Sequence, residues 1–158
     1  TGGATVACLK AGASVCHVDA AKNMVERCRK NCLLSGVAGG KVRYIVDDCK
    51  KFIKREINRG NRYDAIIMDP PSYGRGSNGE IWKLENDLYD FVVLAAEVLS
   101  DNPLFVLINS YTTGLQPAVI GNVLDLAVKG GKTDAYEVCL PTEEGIVLPC
   151  GASGLKTF

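Results

Sequence analysis

One stretch of the sequence indicates the fold: Tyr63-Asp64-Ala65-Ile66-Ile67-Met68-Asp69-Pro70-Pro71-Ser72. Its first six residues are mostly apolar, which predicts a buried parallel strand. The two prolines end that strand because they lack an N–H and have a fixed φ. The Asp69 carboxylate is therefore expected at the C-terminal edge of a sheet, where open α/β folds bind ligands, with the rigid Pro70 carbonyl beside it. Two such acceptors suit an amino group or the edge of a base, although Asp and Pro also suit a plain strand-ending turn.

On both sides of this stretch the chain alternates predicted strands and helices. The predicted strands span residues 14–19, 42–47, 63–68, 104–109, 134–140 and 146–149. The predicted helices span residues 5–11, 21–35, 49–59, 84–99 and 117–129. A glycine-rich loop occupies residues 72–83, and residues 141–145 are few enough to join the last two strands as a hairpin. We therefore predict an α/β fold with a doubly wound, mostly parallel sheet and a C-terminal antiparallel hairpin.

The chain begins with a glycine turn, Thr1-Gly2-Gly3-Ala4-Thr5, that leads straight into the first predicted helix. Glycines let a backbone approach a ligand closely, and the helix N-terminus behind them favours a carboxylate. The turn does not match the G-x-G-x-x-G pattern of nicotinamide enzymes. Because such a turn ordinarily follows a strand, we expect the first strand to lie before Thr1. Residues 1–158 would then be one catalytic domain that is truncated at its N-terminus.

Two further carboxylates are predicted at strand ends. Asp19 ends the strand at residues 14–19 and is placed to accept hydrogen bonds from both ribose hydroxyls of an adenosine. Asp48 follows the strand at residues 42–47 and is placed to contact the adenine amino group. The alternative for each is a helix N-cap, since Asp is a favoured cap residue and a predicted helix follows both. The glycine turn and the carboxylates fall at successive strand ends, which favours a shared binding site.

The amino-acid composition limits the classes of protein to which this chain can belong. The 158 residues are 47% hydrophobic and 23% charged, which is typical of a globular domain, and no apolar run reaches the length of a membrane span. The seven cysteines are dispersed and odd in number, so we expect reduced thiols and a cytoplasmic location. The single histidine, His17, lies in a strand pattern, so no metal site is expected. With a formal net charge of zero, any nucleic acid would have to be recognised locally.

Four segments together resemble those of class I S-adenosylmethionine (SAM)-dependent methyltransferases related to the bacterial large-subunit ribosomal RNA methyltransferases. These segments are Thr1-Gly2-Gly3-Ala4-Thr5, His17-Val18-Asp19-Ala20, Val46-Asp47-Asp48-Cys49 and Asp69-Pro70-Pro71-Ser72-Tyr73. The resemblance implies a SAM cofactor, held by Thr1, Gly2, Gly3, Asp19, Asp48 and Asp69. It implies a methyl acceptor, ribosomal RNA in that family, met by Asp69, Pro70, Pro71 and Tyr73. It also implies an additional N-terminal domain that helps to hold RNA.

The sequence departs from one branch of that family. Methylation of cytosine at C5 needs a thiolate that adds to the ring, and related enzymes supply it from the loop after the fifth strand. This chain has Ile108-Asn109-Ser110-Tyr111-Thr112 there, without a cysteine. Cys150 follows the last predicted strand and reaches the site only if the tail folds back. We therefore expect a nitrogen of an RNA base as the acceptor, with C5 methylation as the alternative.

Other interpretations stay open on the sequence alone. A small molecule or a protein is an alternative acceptor that the neutral charge permits, and a nicotinamide-dependent oxidoreductase or a silent nucleotide-binding module is a further one. In the glycine-rich loop, Tyr73 or Trp82 is placed to stack on a base, and Arg75 or Lys83 to touch a phosphate, unless the loop is simply mobile. Six cations between residues 50 and 62 form either an RNA-tracking face or an ordinary solvated helix face.

Overall fold

The computed structural model describes residues 1–76 and 79–158, so Ser77 and Asn78 of the predicted glycine-rich loop lie outside the described residues. The chain divides into two compact units, Thr1–Arg55 and Glu56–Phe158. Each unit combines helices with strands, which confirms the predicted α/β class. In the described part of the chain, no helix is both long and apolar enough to cross a membrane.

The first unit contains two helices, two strands and the beginning of a third helix. In chain order these are α1 (Gly3–Lys10), β1 (Val15–Asp19), α2 (Lys22–Leu34), β2 (Val42–Val46) and α3 (Cys49–Asn58). β1 and β2 pair in parallel, with Val15 opposite Val42 and Asp19 opposite Val46. Because parallel strands end at the same edge, Asp19 and the segment that leads into α3 share one edge of this pair.

Helix α2 shows how the sequence fixes these elements. Val25, Cys28 and Cys32 recur at helical spacing and are buried, and the two cysteines pack with Leu9 of α1 in the core of the unit. The turn after the helix contains Gly36, whose φ of 72° is left-handed. The N–H groups of Gly36 and of the next residue donate back to carbonyls in the last turn, which closes the helix before β2.

The second unit contains a four-stranded sheet, a short hairpin and two further helices. In chain order its elements are β3 (Ala65–Met68), β4 (Tyr73–Arg75), β5 (Ile81–Lys83), α4 (Leu84–Ala96), β6 (Phe105–Ser110), α5 (Pro117–Ala127), β7 (Lys132–Pro141) and β8 (Val147–Thr157). The four-stranded sheet has the order β3-β6-β8-β7. β3 and β6 are parallel, whereas β8 runs antiparallel to both of its neighbours. Gly154 of β8 lets α5 pack closely, since a Cβ there would lie 2.6 Å from Ile120 Cγ2.

The terminal antiparallel hairpin is confirmed, but three predictions about the strands are wrong. The four-stranded sheet is mixed rather than mostly parallel, because β8 pairs antiparallel with both β6 and β7. β8 continues to Thr157 instead of ending near Pro149, because the residues after Pro149 continue to pair with β6 and β7. The predicted loop also contains the antiparallel pair of β4 and β5. The strand and domain expected before Thr1 stay a prediction.

Candidate functional site

The glycine turn is held against helix α2 by packing. Gly2 is buried with a φ of 88°, and a Cβ built there would lie 2.8 Å from the Cβ and 2.9 Å from the Cα of Cys28. Asn31 Nδ2 donates to the carbonyl of Thr1 at 2.8 Å. Gly3 is exposed, and a Cβ there would meet nothing within 4 Å. Gly2 is thus required by the fold, while Gly3 leaves open space at the N-terminus of α1.

A polar cluster lies next to this turn in the first unit. Thr5 Oγ1 and His17 Nδ1 are 3.0 Å apart, and the rings of His17 and Tyr44 meet edge-on with centroids 6.4 Å apart. The Arg29 guanidinium lies 4.7 Å from the centre of the Tyr44 ring. Burial raises the pKa of Tyr44 to about 12 and also raises the pKa of the Cys28 thiol, so both stay protonated at physiological pH. Among the described residues, no group of three or more His, Cys, Asp or Glu side chains is placed to hold a metal ion.

Asp19 and Asp48 both bond to the backbone that follows them. Asp19 Oδ1 accepts a hydrogen bond from the N–H of Ala21 at 2.8 Å. Asp48 Oδ1 accepts one from the N–H of Lys51 at 2.8 Å, which is the contact of an N-cap. The capping alternative is therefore present at Asp48, whereas the Asp19 bond closes the turn before α2, whose N-cap is Ala21 and has no side-chain cap bond. A carboxylate has about four lone-pair sites, so these contacts leave acceptor capacity on both side chains for a ligand.

Asp69 and Pro70 follow β3 and present two hydrogen-bond acceptors. Asp69 is exposed, and no residue in the described part of the chain donates to its carboxylate or to the Pro70 carbonyl. The next two carbonyls are engaged. That of Pro71 accepts from Trp82 Nε1 at 2.6 Å, and that of Ser72 accepts from the first residue of α4 at 3.0 Å. The second half of this loop is therefore fixed by the fold, and its first half offers acceptors to a ligand.

A further contact joins this loop to the segment after β6. Ser72 Oγ and Thr112 Oγ1 are 2.7 Å apart, and the N–H of Thr112 donates to Ser110 Oγ at 3.2 Å. β3 and β6 are parallel neighbours, so both segments lie at the same edge of the sheet. Between these anchors Tyr111 is 73% exposed. Tyr111 was not among the predicted site residues, although its place directly after a strand was a usable signal.

The two aromatic residues of the β4–β5 hairpin make different contacts. The Trp82 indole donates to the Pro71 carbonyl, and its ring packs edge-on against Phe91 with centroids 5.6 Å apart. The Trp82 ring is therefore engaged inside the unit, and the prediction that Tyr73 or Trp82 stacks on a base stays a prediction. Tyr73 is 50% exposed, and its hydroxyl accepts a hydrogen bond from Arg75 Nε at 3.0 Å. Tyr73 and Arg75 remain candidates for contact with the methyl acceptor.

The cysteines near the chain's C-terminus lie within strands. Cys150 lies in β8 where its register with β7 shifts, and it does not follow the last strand as predicted, because β8 continues to Thr157. Cys150 Sγ donates to the Leu148 carbonyl at 3.2 Å. Burial raises the pKa of the Cys139 thiol on the neighbouring strand. All seven cysteines lie within the described residues, where they are free thiols.

The three arginines of the predicted basic run are used within the fold. Arg55 pairs with Asp47, and Arg59 Nη1 lies 3.0 Å from Glu56 Oε1. Glu56 is fully buried and accepts further hydrogen bonds from the side chains of an asparagine and a tyrosine. Arg62 donates to a backbone carbonyl at 2.9 Å. The RNA-tracking face at this run stays a prediction.

No protein-family model matches this chain. The ribosomal RNA large subunit methyltransferase I of Klebsiella pneumoniae is 27% identical over 135 residues, which cover 84% of this chain and 33% of that protein. The crystal structure of the SAM-dependent methyltransferase from Agrobacterium tumefaciens is 30% identical, with a TM-score of 0.91, and the match covers 99% of this chain and 52% of that one. SMU.776, solved in complex with SAH, is 21% identical with a TM-score of 0.73 over 97% of this chain and 42% of that one.

The similarity confirms the predicted resemblance to SAM-dependent methyltransferases, whose fold this chain has. The chain spans about a third of the length of the curated relatives it matches, and about half of the length of the Agrobacterium protein.

Proposed function

We propose that this chain, a SAM-dependent methyltransferase by its fold and similarity, is a catalytic domain that methylates a nitrogen of a base in ribosomal RNA. One observation carries the proposal: the Asp69 carboxylate and the Pro70 carbonyl are adjacent after β3 and open to a ligand. Two neighbouring acceptors bind the N–H groups of an amino or ring nitrogen and fix its position. Such orientation supplies a large part of the catalysis in a transfer that needs no covalent intermediate.

The first unit supplies the residues that we assign to SAM. The assignment rests on the open space at Gly3 and on the remaining acceptor capacity of Asp19 and Asp48. The open end of α1 suits the carboxylate of SAM, with Thr1 and Gly2 shaping the turn. We assign Asp19 to the ribose hydroxyls and Asp48 to the adenine amino group. When bound, SAM supplies an electrophilic methyl group on its sulfonium.

The second unit supplies the residues that we assign to the acceptor. Asp69 accepts an N–H of the acceptor nitrogen, and its carboxylate is available to take the proton that this nitrogen loses on methylation. The family resemblance also assigns Asp69 to the cofactor, but its open carboxylate favours the acceptor as its main ligand. Pro70 holds the second acceptor, while the carbonyl of Pro71 is tied to Trp82 and keeps the loop in place. Tyr73 lies next in the chain and contributes exposed ring surface.

The absence of a suitable thiol at this segment supports nitrogen rather than carbon as the atom of the base that is methylated. C5 methylation of cytosine needs a nucleophilic thiolate. The segment after β6 carries Tyr111 and no cysteine. Cys150 lies in β8 with its Sγ donating to a backbone carbonyl, and the chain places no cation next to it in sequence to favour the thiolate.

Ribosomal RNA is supported by the curated relatives, which carry that substrate in their names. Because the formal net charge is zero, recognition would have to be local, and the exposed Arg75 and Lys83 of the hairpin suit phosphate contacts. The same neutral charge favours the second candidate, a methyltransferase of a small molecule or a protein. The nicotinamide alternative has lost its support, because the similar structures are methyltransferases. The cytoplasmic location stays a prediction.

The test is methyl transfer from labelled SAM to ribosomal RNA taken from cells that lack the gene, followed by mass spectrometry of the nucleosides. We expect a base methylated on nitrogen. A product methylated at C5 of cytosine, with a covalent adduct to 5-fluorocytosine RNA that is lost in Cys150→Ser, would overturn the assignment of the acceptor atom. Label in a small-molecule or protein fraction and none in RNA would overturn the assignment of the substrate.

A further inference from the structure

Tyr111 is an aromatic side chain that the fold leaves in solvent. At 73% exposure it is the most exposed of the large apolar or aromatic side chains in the described part of the chain apart from Leu34 and Leu126. It follows β6 directly, and β6 is the parallel neighbour of β3. In the register of these strands Met68 lies opposite Ile108, so Asp69 and Tyr111 both lie beyond the last pair, at one edge of the sheet. The exposed ring is therefore on the edge that carries the open acceptors.

The backbone on either side of this ring is anchored. Ser110 is buried, and its Oγ accepts a hydrogen bond from the N–H of Thr112. The Thr112 hydroxyl in turn contacts the Ser72 hydroxyl at 2.7 Å. Ser72 belongs to the loop after β3 that carries Asp69 and Pro70, which we call the acceptor loop. Gly151 makes room for the segment, since a Cβ there would collide with the Ser110 carbonyl and lie 3.3 Å from Tyr111 Cδ1. An exposed ring on an anchored backbone is preorganised, so less conformational entropy is lost when a ligand packs against it.

We propose that Tyr111 stacks on the face of the methyl acceptor while Asp69 and Pro70 bind its polar edge. The inference rests on the proposed function and deepens it, because it requires the acceptor to be a planar base that is unpaired when it is methylated. Stacking fixes the plane of the base, and the two acceptors fix its rotation within that plane. Neither contact alone orients the nitrogen.

Two other exposed tyrosines of the second unit serve as comparisons. Tyr73 belongs to the β4–β5 hairpin, and its hydroxyl accepts a hydrogen bond from Arg75 Nε. Tyr89 lies on α4 and is 45% exposed, so it matches Tyr111 in type but not in place. Tyr89→Leu is therefore the matched control for Tyr111→Leu.

The test uses a short single-stranded oligoribonucleotide with one central 2-aminopurine, whose fluorescence is quenched by stacking. We expect the purified protein to quench the probe, Tyr111→Phe to retain quenching, and Tyr111→Leu to lose it with roughly a tenfold rise in Kd, which corresponds to loss of one base–aromatic stack. Tyr89→Leu should behave like the unchanged protein. Circular dichroism confirms that each variant is folded.

A second readout is methyl transfer to ribosomal RNA, where we expect kcat/KM to fall in Tyr111→Leu and to be rescued in Tyr111→Phe. Quenching and transfer unchanged in Tyr111→Leu, in a protein that methylates RNA, would overturn this inference and leave the proposed function intact. A protein that neither binds the probe nor methylates any RNA would overturn the proposed function and this inference with it.

Discussion

The strand ends of the two units use their carboxylates differently. In the first unit, Asp19 and Asp48 each give one oxygen to the N–H of a nearby backbone group. In the second unit, the Asp69 carboxylate is exposed, and no residue in the described ranges donates to it. A carboxylate that closes a turn has a role in folding whether or not it also binds a ligand. Asp69 has no such role in the described contacts, which favours our assignment of this carboxylate to a ligand.

This difference separates stability from activity. Substitutions at the strand ends of the first unit should change folding and cofactor affinity together. A substitution at Asp69 should change turnover and little else. The following experiments either break that separation or make it sharper.

The largest effect is expected at the glycine turn of the first unit. Gly2→Ala places a Cβ against Cys28 at a left-handed φ of 88°. Strain and overpacking together should cost roughly 3 to 5 kcal/mol of stability, measured by chemical denaturation. Gly3→Ala is the matched control, because a Cβ there meets nothing within 4 Å, and it should fold normally.

Gly3→Ala also tests where SAM binds. If the carboxylate of SAM lies over the N-terminus of α1, the added methyl group should weaken SAM binding without loss of stability. A Gly2→Ala protein as stable as the unchanged one would show that the turn is not packed as described.

The next largest effect is expected on turnover at the acceptor loop. Asp69→Ala should lower kcat by a factor on the order of a hundred, because the acceptor nitrogen loses its main positioning contact. The free energy of unfolding should stay within about 0.5 kcal/mol of the unchanged value, as for an exposed surface position. Denaturation curves and single-turnover rates measure both. A large loss of stability in Asp69→Ala would remove the difference between the two strand ends.

Much of this arrangement was predictable because it is local. A carboxylate directly after an apolar strand, as at Asp69, and a glycine after a helical pattern, as at Gly36, are fixed by neighbours in sequence. The strands β4 and β5 were missed because three residues are too few to show alternation. The extension of β8 was missed because Gly151 and Gly154 are poor strand formers that are chosen here for close packing.

The contacts that decide the site are not local. Ser72 and Thr112 are forty residues apart in sequence, and only the parallel pairing of β3 and β6 brings them together. The role of Trp82 likewise depends on Phe91 and Pro71, which no spacing rule connects to it. Whether a predicted site residue is engaged by the fold, as Asp48 is, or open, as Asp69 is, follows from the tertiary structure.

A smaller effect is expected for the two carboxylates of the first unit. Asp19→Ala should weaken SAM binding by roughly 2 kcal/mol, or about thirtyfold in Kd, because a charged acceptor for the ribose hydroxyls is lost. Asp19→Asn should be milder. Asp48→Ala should cost about 1 kcal/mol of stability through loss of the cap, and Asp48→Asn should restore it, since Asn caps equally well. Calorimetric titration and denaturation measure the two effects. Unchanged SAM affinity in a folded Asp19→Ala protein would reduce Asp19 to a turn residue.

The smallest effect is expected at an engaged carboxylate of the second unit. Hydrogen bonds from Lys156 and Thr133 hold the pKa of Asp125 below its usual value. A carboxyl with a lowered folded pKa contributes stability above its unfolded pKa, and that contribution is lost as the pH falls through the folded pKa. The Tm of Asp125→Asn should therefore lie below that of the unchanged protein at neutral pH, and the gap should close below about pH 4. A difference in Tm that does not change with pH would mean that the negative charge of Asp125 does not contribute to its interaction with Lys156.

The most direct test of the central claim is a calorimetric titration of SAM into Asp69→Ala and Asp19→Ala side by side. The claim is that Asp69 serves the methyl acceptor and Asp19 the cofactor. We expect the SAM Kd of Asp69→Ala to stay within a few-fold of the unchanged value while its methyl transfer is largely lost, because no cofactor contact has been removed. A loss of SAM affinity in Asp69→Ala as large as in Asp19→Ala, and as large as its loss of turnover, would contradict the account and place this carboxylate on the cofactor.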